Sequence, residues 1–286
     1  MDSENIVVTE LKVLESRSSS TIPIQPEDLV LFQNGSMTEG STYGSMTKAP
    51  AKHTKADSNG WKLWEKLAAG RPEFGNPAAF NTSIAESNWP SFTVMLKDTV
   101  FFDEVETLSG NEAGTGGLVT FKDSNWYMSI VLAHQPHYVS QPVNVQVFWG
   151  YALHGDRVGN FVSKPMSDYN GEEILQELSG HLNFDHELTF ANPNCIPCRM
   201  PYITSMFMPK AKSDRPLPVP NNSKNLAFVS RFVEIADDVV FTVEYSVPAA
   251  QIAVYELMEL GLAIPPISRH DKSAKVKFTA VLKAFA

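Results

Sequence analysis

The sequence predicts a mixed protein of the α+β or α/β class. Three observations point there. Apolar residues come in short strand-like runs near the start and again across 118–149. Segments beginning near residues 60, 171 and 239 repeat apolar residues at helical spacing. The chain of 286 residues is 43% hydrophobic and 19% charged, a balance that folds rather than stays disordered.

In order, Ile6–Val8 with Leu11–Leu14, then Thr21–Ile24, then Asp28–Phe32 read as three strands of a β-meander, with Ser16–Ser20 as a turn. The third is the most apolar and is expected to be buried on both faces. Asn34-Gly35-Ser36-Met37 follows, where glycine lets backbone approach a ligand or another segment. Residues 40–60 form a long loop. Gly60–Ala68 predicts a two-turn amphipathic helix stopped near Gly70 and Pro72. Its Trp61 and Trp64 read as core more readily than as a ligand channel.

The stretch 92–150 reads as β-like segments and turns, with strands at Leu118–Phe121, Trp126–Leu132 and Val143–Trp149. Gly171–Leu182 predicts a helix whose Glu172 and Glu173 suit the positive end of its dipole. The proline-rich 193–220 predicts an extended, ordered connection without regular structure. Leu226–Val229 is a short strand. Val239–Leu260 is a long helix, in which Pro248 delays the start or makes a kink.

Lysine plus arginine is 23 and aspartate plus glutamate 32, a net charge of −9, which argues against nucleic acid as a partner. Cys195 and Cys198 make no disulfide framework, so a reducing, cytoplasmic setting is the simpler reading. Residues 1–20 do not read as a secretory signal, and no run of about 18 apolar residues could span a bilayer. The Cys195-Ile-Pro-Cys198 motif could be half a zinc site or a redox pair. Without two further ligands nearby, two buried thiols in an ordered loop is favoured. His134-Gln-Pro-His137 is broken by Pro136 as a helical ligand pair, so no metal site is predicted. GxSxG and GxGxxG are both absent. Gly114-Thr-Gly116-Gly117 precedes a strand and reads as a turn.

The run Met200–Met208 mixes large apolar groups with Tyr202, Thr204 and Ser205, which would suit an acyl chain and its carboxylate. The tail 271–286 interleaves Lys272, Lys275, Lys277 and Lys283 with Val276, Phe278, Val281, Leu282 and Phe285. It predicts a basic amphipathic helix suited to peripheral contact with an anionic membrane.

Several longer runs, taken together, resemble one family. They are Asn34-Gly-Ser-Met-Thr-Glu-Gly-Ser-Thr-Tyr-Gly44; Trp61-Lys-Leu-Trp64 with Pro72-Glu-Phe-Gly-Asn-Pro77; and Ile196-Pro-Cys-Arg-Met-Pro-Tyr-Ile-Thr-Ser205. Asp214-Arg-Pro, Asn225-Leu-Ala-Phe228 and the stretch Phe232–Val247 follow in the same order. The chain thus resembles the oleate hydratases, flavoproteins also called myosin-cross-reactive antigens. The resemblance covers about residues 20–267 and looks like the C-terminal half of the family's length.

The resemblance implies a partial Rossmann-type FAD-binding domain lacking its N-terminal βαβ unit, plus a mixed α/β fatty-acid-binding domain. It divides the chain into 1–59 and 216–267 for FAD, 60–215 for substrate, and the tail 268–286. It implies that Asn34, Gly35, Ser36, Met37, Phe232, Val233, Glu234, Phe241, Thr242 and Val243 face FAD. Met200, Tyr202, Thr204, Ser205 and Phe207 would face an unsaturated fatty acid. The implied activity is addition of water to a cis double bond, giving a hydroxy fatty acid. No catalytic residue is assigned here, because the family's acid and base are expected in the N-terminal half. An N-terminal-half chain or a second copy is the implied protein partner. The alternative is a catalytically inactive homologue that binds fatty acid or membrane. Three positions depart from the family pattern: Ser230-Arg231 stands where it has Gly-Gln, and Pro248 where it has arginine.

Overall fold

Residues 5–14, 18–52, 54–55, 58–115, 118–236, 238, 243–266, 268 and 270–285 are described by the computed structural model, residue 271 by its backbone alone. They form two compact units. One comprises Met1–Gly35, Leu63–Pro77 and Lys210–Ala286; the other comprises Ser36–Lys62 and Ala78–Pro209. These boundaries differ from the expected divisions after 59 and 215. Thr42–Tyr43 pairs with the second unit's sheet, while Asn76 N–H donates to Asp214 C=O at 2.8 Å within the first.

The second unit is built on six antiparallel strands. Their spatial order is Thr42–Tyr43, Asn194–Met200, Trp89–Leu96, Gln146–Ala152, Met128–Leu132, Leu118–Thr120. Alternation sends Phe92, Val94, Leu96, Met128, Ile130, Leu132, Phe148 and Ala152 to one face. There they pack with Phe101, Phe102 and Val105 of helix Val100–Ser109 and Ile174, Leu175 and Leu178 of helix Gly171–Leu182. Phe101 stacks on Phe148 with ring centres 4.3 Å apart. Gly150 is required at the sheet centre, since a Cβ there would lie 2.4 Å from Phe92 Cζ. Helix Gly171–Leu182 starts at a capping box in which Asn170 and Glu173 satisfy each other's backbone N–H groups.

Two expectations fail in this unit. Asn194–Met200 is a seven-residue strand inside the sheet, not an irregular connection. Pro197 is tolerated because its C=O accepts from Gly44 N–H at 2.8 Å. Its missing donor therefore faces the side where the Thr42–Tyr43 strand has ended. Val100–Ser109 is a helix within the stretch read as strands and turns. Its valine and phenylalanine content favours strand locally, but burial of one face decides for helix.

In the first unit, Glu10–Leu14 and Ser19–Pro23 form an antiparallel hairpin. The expected three-stranded meander is not formed. Val30–Phe32 instead pairs in parallel with Leu226–Phe228, almost two hundred residues away. Nor is Val30–Phe32 buried on both faces: Leu31 is 50% exposed, and the fully buried strand is Leu226–Phe228. Of the expected turn Ser16–Ser20, Ser16 and Arg17 lie outside the described residues and Ser19–Ser20 are strand.

Of helix Asn59–Ala68, residues 59–62 belong to the second unit and 63–68 to the first. Both its tryptophans are core residues: Trp61 packs on Tyr202 in the second unit, and Trp64 donates from Nε1 to Phe74 C=O at 2.8 Å in the first. The late helix begins at Ser246, with Pro248 in its first turn where a missing N–H costs little. Helix Ala274–Ala284, capped by Ser273, buries none of its side chains. Among the described residues no helix is long and apolar enough to cross a membrane.

Candidate functional site

Two clusters gather the residues singled out by sequence. The first lies where the parallel strands of the first unit end. The loops leaving Phe32 and Phe228 are tied together by side chains. Asn34 donates from Nδ2 to Phe232 C=O at 3.1 Å, and Ser230 Oγ donates to Asn34 Oδ1 at 2.8 Å. Ser230 Oγ also accepts the Phe232 N–H at 2.8 Å. Asn34, Ser230, Phe232 and Val233 are all buried, and Gly35 follows at φ 67°, a conformation that favours glycine.

The strand of backbone beyond Phe232 is held by Tyr245, whose hydroxyl donates to Val233 C=O at 2.9 Å and accepts Ile235 N–H at 3.1 Å. The buried Arg215 guanidinium lies over the Tyr245 ring at 5.7 Å. Burial pushes the Tyr245 phenol up and the Arg215 guanidinium down from their ordinary ranges. A cleft of about 450 Å³ opens here, lined by Glu73, Lys212, Arg215, Leu217, Asn221 and Glu234 among others.

Asn34, Gly35, Phe232, Val233 and Glu234 thus belong to the first unit, with Val243, which is 65% exposed. Phe241 and Thr242 lie outside the described residues. Ser36 and Met37 continue the loop and belong to the second unit, where they are half-buried.

The second cluster is in the second unit. Tyr202 is fully buried, its hydroxyl 2.6 Å from Ser58 Oγ and its ring 5.2 Å from that of Trp61. Thr204 donates from Oγ1 to Ser87 C=O at 3.2 Å, and Ser87 donates to Pro201 C=O at 2.7 Å. Ser205 Oγ is buried without a hydrogen-bond partner among the described residues. Met200 is half-buried and Phe207 half-exposed. The cluster therefore brings Tyr202, Thr204 and Ser205 together, with Tyr202 and Thr204 already hydrogen-bonded.

Cys195 and Cys198 are both free, and alternation puts them on opposite faces of their strand. Burial pushes both thiols up. They lie in a strand rather than a loop, and Cys198 is only half-buried. Among the described residues no group of three or more His, Cys, Asp or Glu side chains could hold a metal ion.

Sequence reasoning did not single out Ser58, Tyr245 or the pairing of Ser230 with Asn34. Arg215 carries a sequence signal only as part of Asp214-Arg-Pro.

Sheet, helices and a parallel strand pair with tied end-loops define a mixed α/β protein. The MCRA family model matches residues 1–255, and the chain belongs to that family. It is 40% identical over 262 residues to an oleate hydratase of Streptococcus pyogenes serotype M49 (strain NZ131), covering 87% of this chain and 44% of the relative. It is 31% identical over 304 aligned residues to a linoleate hydratase of Lactiplantibacillus plantarum, covering 99% and 53% respectively. The chain thus spans about half the length of the curated relatives it matches.

Proposed function

We propose that this chain is the ligand-holding part of a fatty-acid hydratase, which adds water across the cis double bond of an unsaturated fatty acid. The observation that carries this is the 40% identity, over most of the chain, to a protein named oleate hydratase. In the reaction a C–H and a C–O bond form while the π bond and one O–H bond break. Protonating an isolated alkene demands an acid, a positioned base and a dry site. We place the acid and base in the portion of the relatives' length that this chain does not span. Tyr202, Thr204 and Ser205, with Met200 and Phe207, would orient the fatty acid.

FAD fits the first cluster by one test of geometry. Ligands of open α/β sheets lie outside the carboxyl ends of parallel strands, and Asn34, Gly35, Phe232, Val233 and Glu234 all follow such ends. A partial Rossmann-type domain is the reading this supports. A bound flavin would supply polar and electrostatic contacts rather than net electron transfer, since hydration changes no overall oxidation state. Backbone groups of these loops would hold it.

The test mixes the chain with oleate and FAD, with and without the complementary N-terminal portion of the streptococcal relative, and follows the mass gain of one water. Product only with the complement is expected. Product from the chain alone would overturn the placement of acid and base. No product in either mixture would overturn the hydratase reading.

A second reading, a binding homologue without chemistry, is favoured by one observation. Helix Ala274–Ala284 carries Phe278, Val281 and Leu282 exposed beside Lys275, Lys277 and Lys283. Such a helix suits peripheral contact with anionic lipid. Co-sedimentation with anionic but not neutral vesicles is expected, and equal recovery with both would overturn the contact.

A further inference from the structure

We propose that Ser230 is an affinity-setting latch, whose hydroxyl competes with a dinucleotide for the Phe232 N–H at the ligand end of the parallel pair. The inference rests on the reading that FAD is held at that end. The Ser230 hydroxyl has two engagements, donating to Asn34 Oδ1 and accepting the Phe232 N–H, both at 2.8 Å. The other end of the Asn34 carboxamide donates to Phe232 C=O. The result is a closed ring. One side chain from the loop after Phe32 and one from the loop after Phe228 satisfy both backbone groups of Phe232. Asn34 is 0%, Phe232 2% and Ser230 7% exposed, so water has little access to the ring.

Backbone N–H groups at the carboxyl ends of parallel strands are the donors that an anionic or hydroxyl-rich ligand takes. The Phe232 N–H is already spent inside the protein. A ligand that takes it must displace the Ser230 hydroxyl and leave Asn34 Oδ1 without that donor. Exchanging one hydrogen bond for another of similar quality gains little. The latch therefore lowers affinity without abolishing binding. The neighbouring Val229 N–H is fixed to Phe32 C=O at 2.9 Å. Opening can thus be confined to 230–232.

The test titrates FAD, by quenching of flavin fluorescence, into the unsubstituted chain, Ser230→Gly and Ser230→Ala. Thermal unfolding of the FAD-free proteins is measured alongside. The latch predicts that both variants bind FAD about tenfold tighter, the value of one freed hydrogen bond. It also predicts that both melt at lower temperature without FAD. The alanine variant removes the hydroxyl without adding glycine's backbone freedom, so a loosened turn cannot mimic the result. Measurable but equal or weaker FAD binding by both variants would overturn the latch and leave the flavin reading standing. Absence of FAD binding by all three would overturn both. Unchanged FAD-free melting in both variants would overturn the closed ring itself.

Discussion

Glu177→Gln changes one atom at a carboxylate that accepts three backbone N–H groups in the sheet-based unit. Glu177 sits on helix Gly171–Leu182 and is fully buried. Its Oε1 accepts the Asn160 N–H at 2.6 Å, and its Oε2 accepts those of Phe161 and Val162 at 2.9 Å each. His181 Nε2, one turn along the helix, is 3.4 Å from Oε1. Burial alone would push this carboxyl up. The nearby His181 ring and the three backbone donors outweigh it and hold the group below its ordinary 4.5. Glutamine keeps the shape but has one oxygen. With that oxygen on Phe161 and Val162, its amide NH₂ meets the Asn160 N–H, donor against donor. One charge-assisted bond is lost, two become neutral, and one donor is left unmet. Together these cost about 3 kcal/mol. At roughly 2–4 °C per kcal/mol for a chain of this size, melting falls by about 6–12 °C. Urea unfolding and amide exchange at 160–162 measure it. The sign with pH is fixed by the lowered folded-state pKa. The ionised group's stabilisation is complete above 4.5 and is lost as pH falls through the folded value, so the mutant's deficit must shrink in acid. A deficit below about 0.5 kcal/mol at neutral pH, or one that does not shrink in acid, would refute an ionised, backbone-nested Glu177.

Gly150→Ala should destabilise by about 1–3 kcal/mol or more, because the added Cβ would lie 2.4 Å from Phe92 Cζ and 2.7 Å from Ser129 C=O; melting temperature and soluble yield report it. Tyr202→Phe removes the 2.6 Å bond to Ser58 and should cost about 1 kcal/mol in urea unfolding. A thiol reagent at neutral pH should label Cys198 slowly and Cys195 only after unfolding, since burial pushes both thiols up and Cys195 is enclosed. Rapid labelling of both in the folded protein would contradict that placement.

What could be read in the sequence was local. Helices Asn59–Ala68 and Gly171–Leu182 announce themselves by apolar spacing and by their stop and start residues, and both lie where the period puts them. The strands at 118–120, 128–132 and 146–152 follow from alternation. Failures came where a local rule met a tertiary exception. Pro197 reads as a strand breaker until its strand neighbour is known, and helix Val100–Ser109 lies in a stretch that reads as strands and turns until one face is buried. Pairing of Val30–Phe32 with Leu226–Phe228 leaves no local trace at all. The candidate cofactor residues were reached through resemblance, not physics. Ser230 stood out as an added side chain, but its partner Asn34 is 196 positions away.

That separation bears on how stability and binding are coupled in the first unit. Two three-residue strands make few ladder bonds, and such a short pair is marginal by itself. Its closure draws on what surrounds it. Phe32 meets Phe228 edge-on at 5.5 Å, Val229 N–H bonds Phe32 C=O, and the Asn34–Ser230–Phe232 ring ties the ends. Together these contacts close a loop of nearly two hundred residues, so they work against a large chain entropy. The bonds that close the ring are also the ones nearest the proposed ligand end. A ligand that takes the Phe232 N–H must replace what the ring contributes to holding the two strands together. Affinity at this end and stability of the unit therefore move in opposite directions when Ser230 changes. A substitution that raised both would mean that the strands are held by something other than this ring.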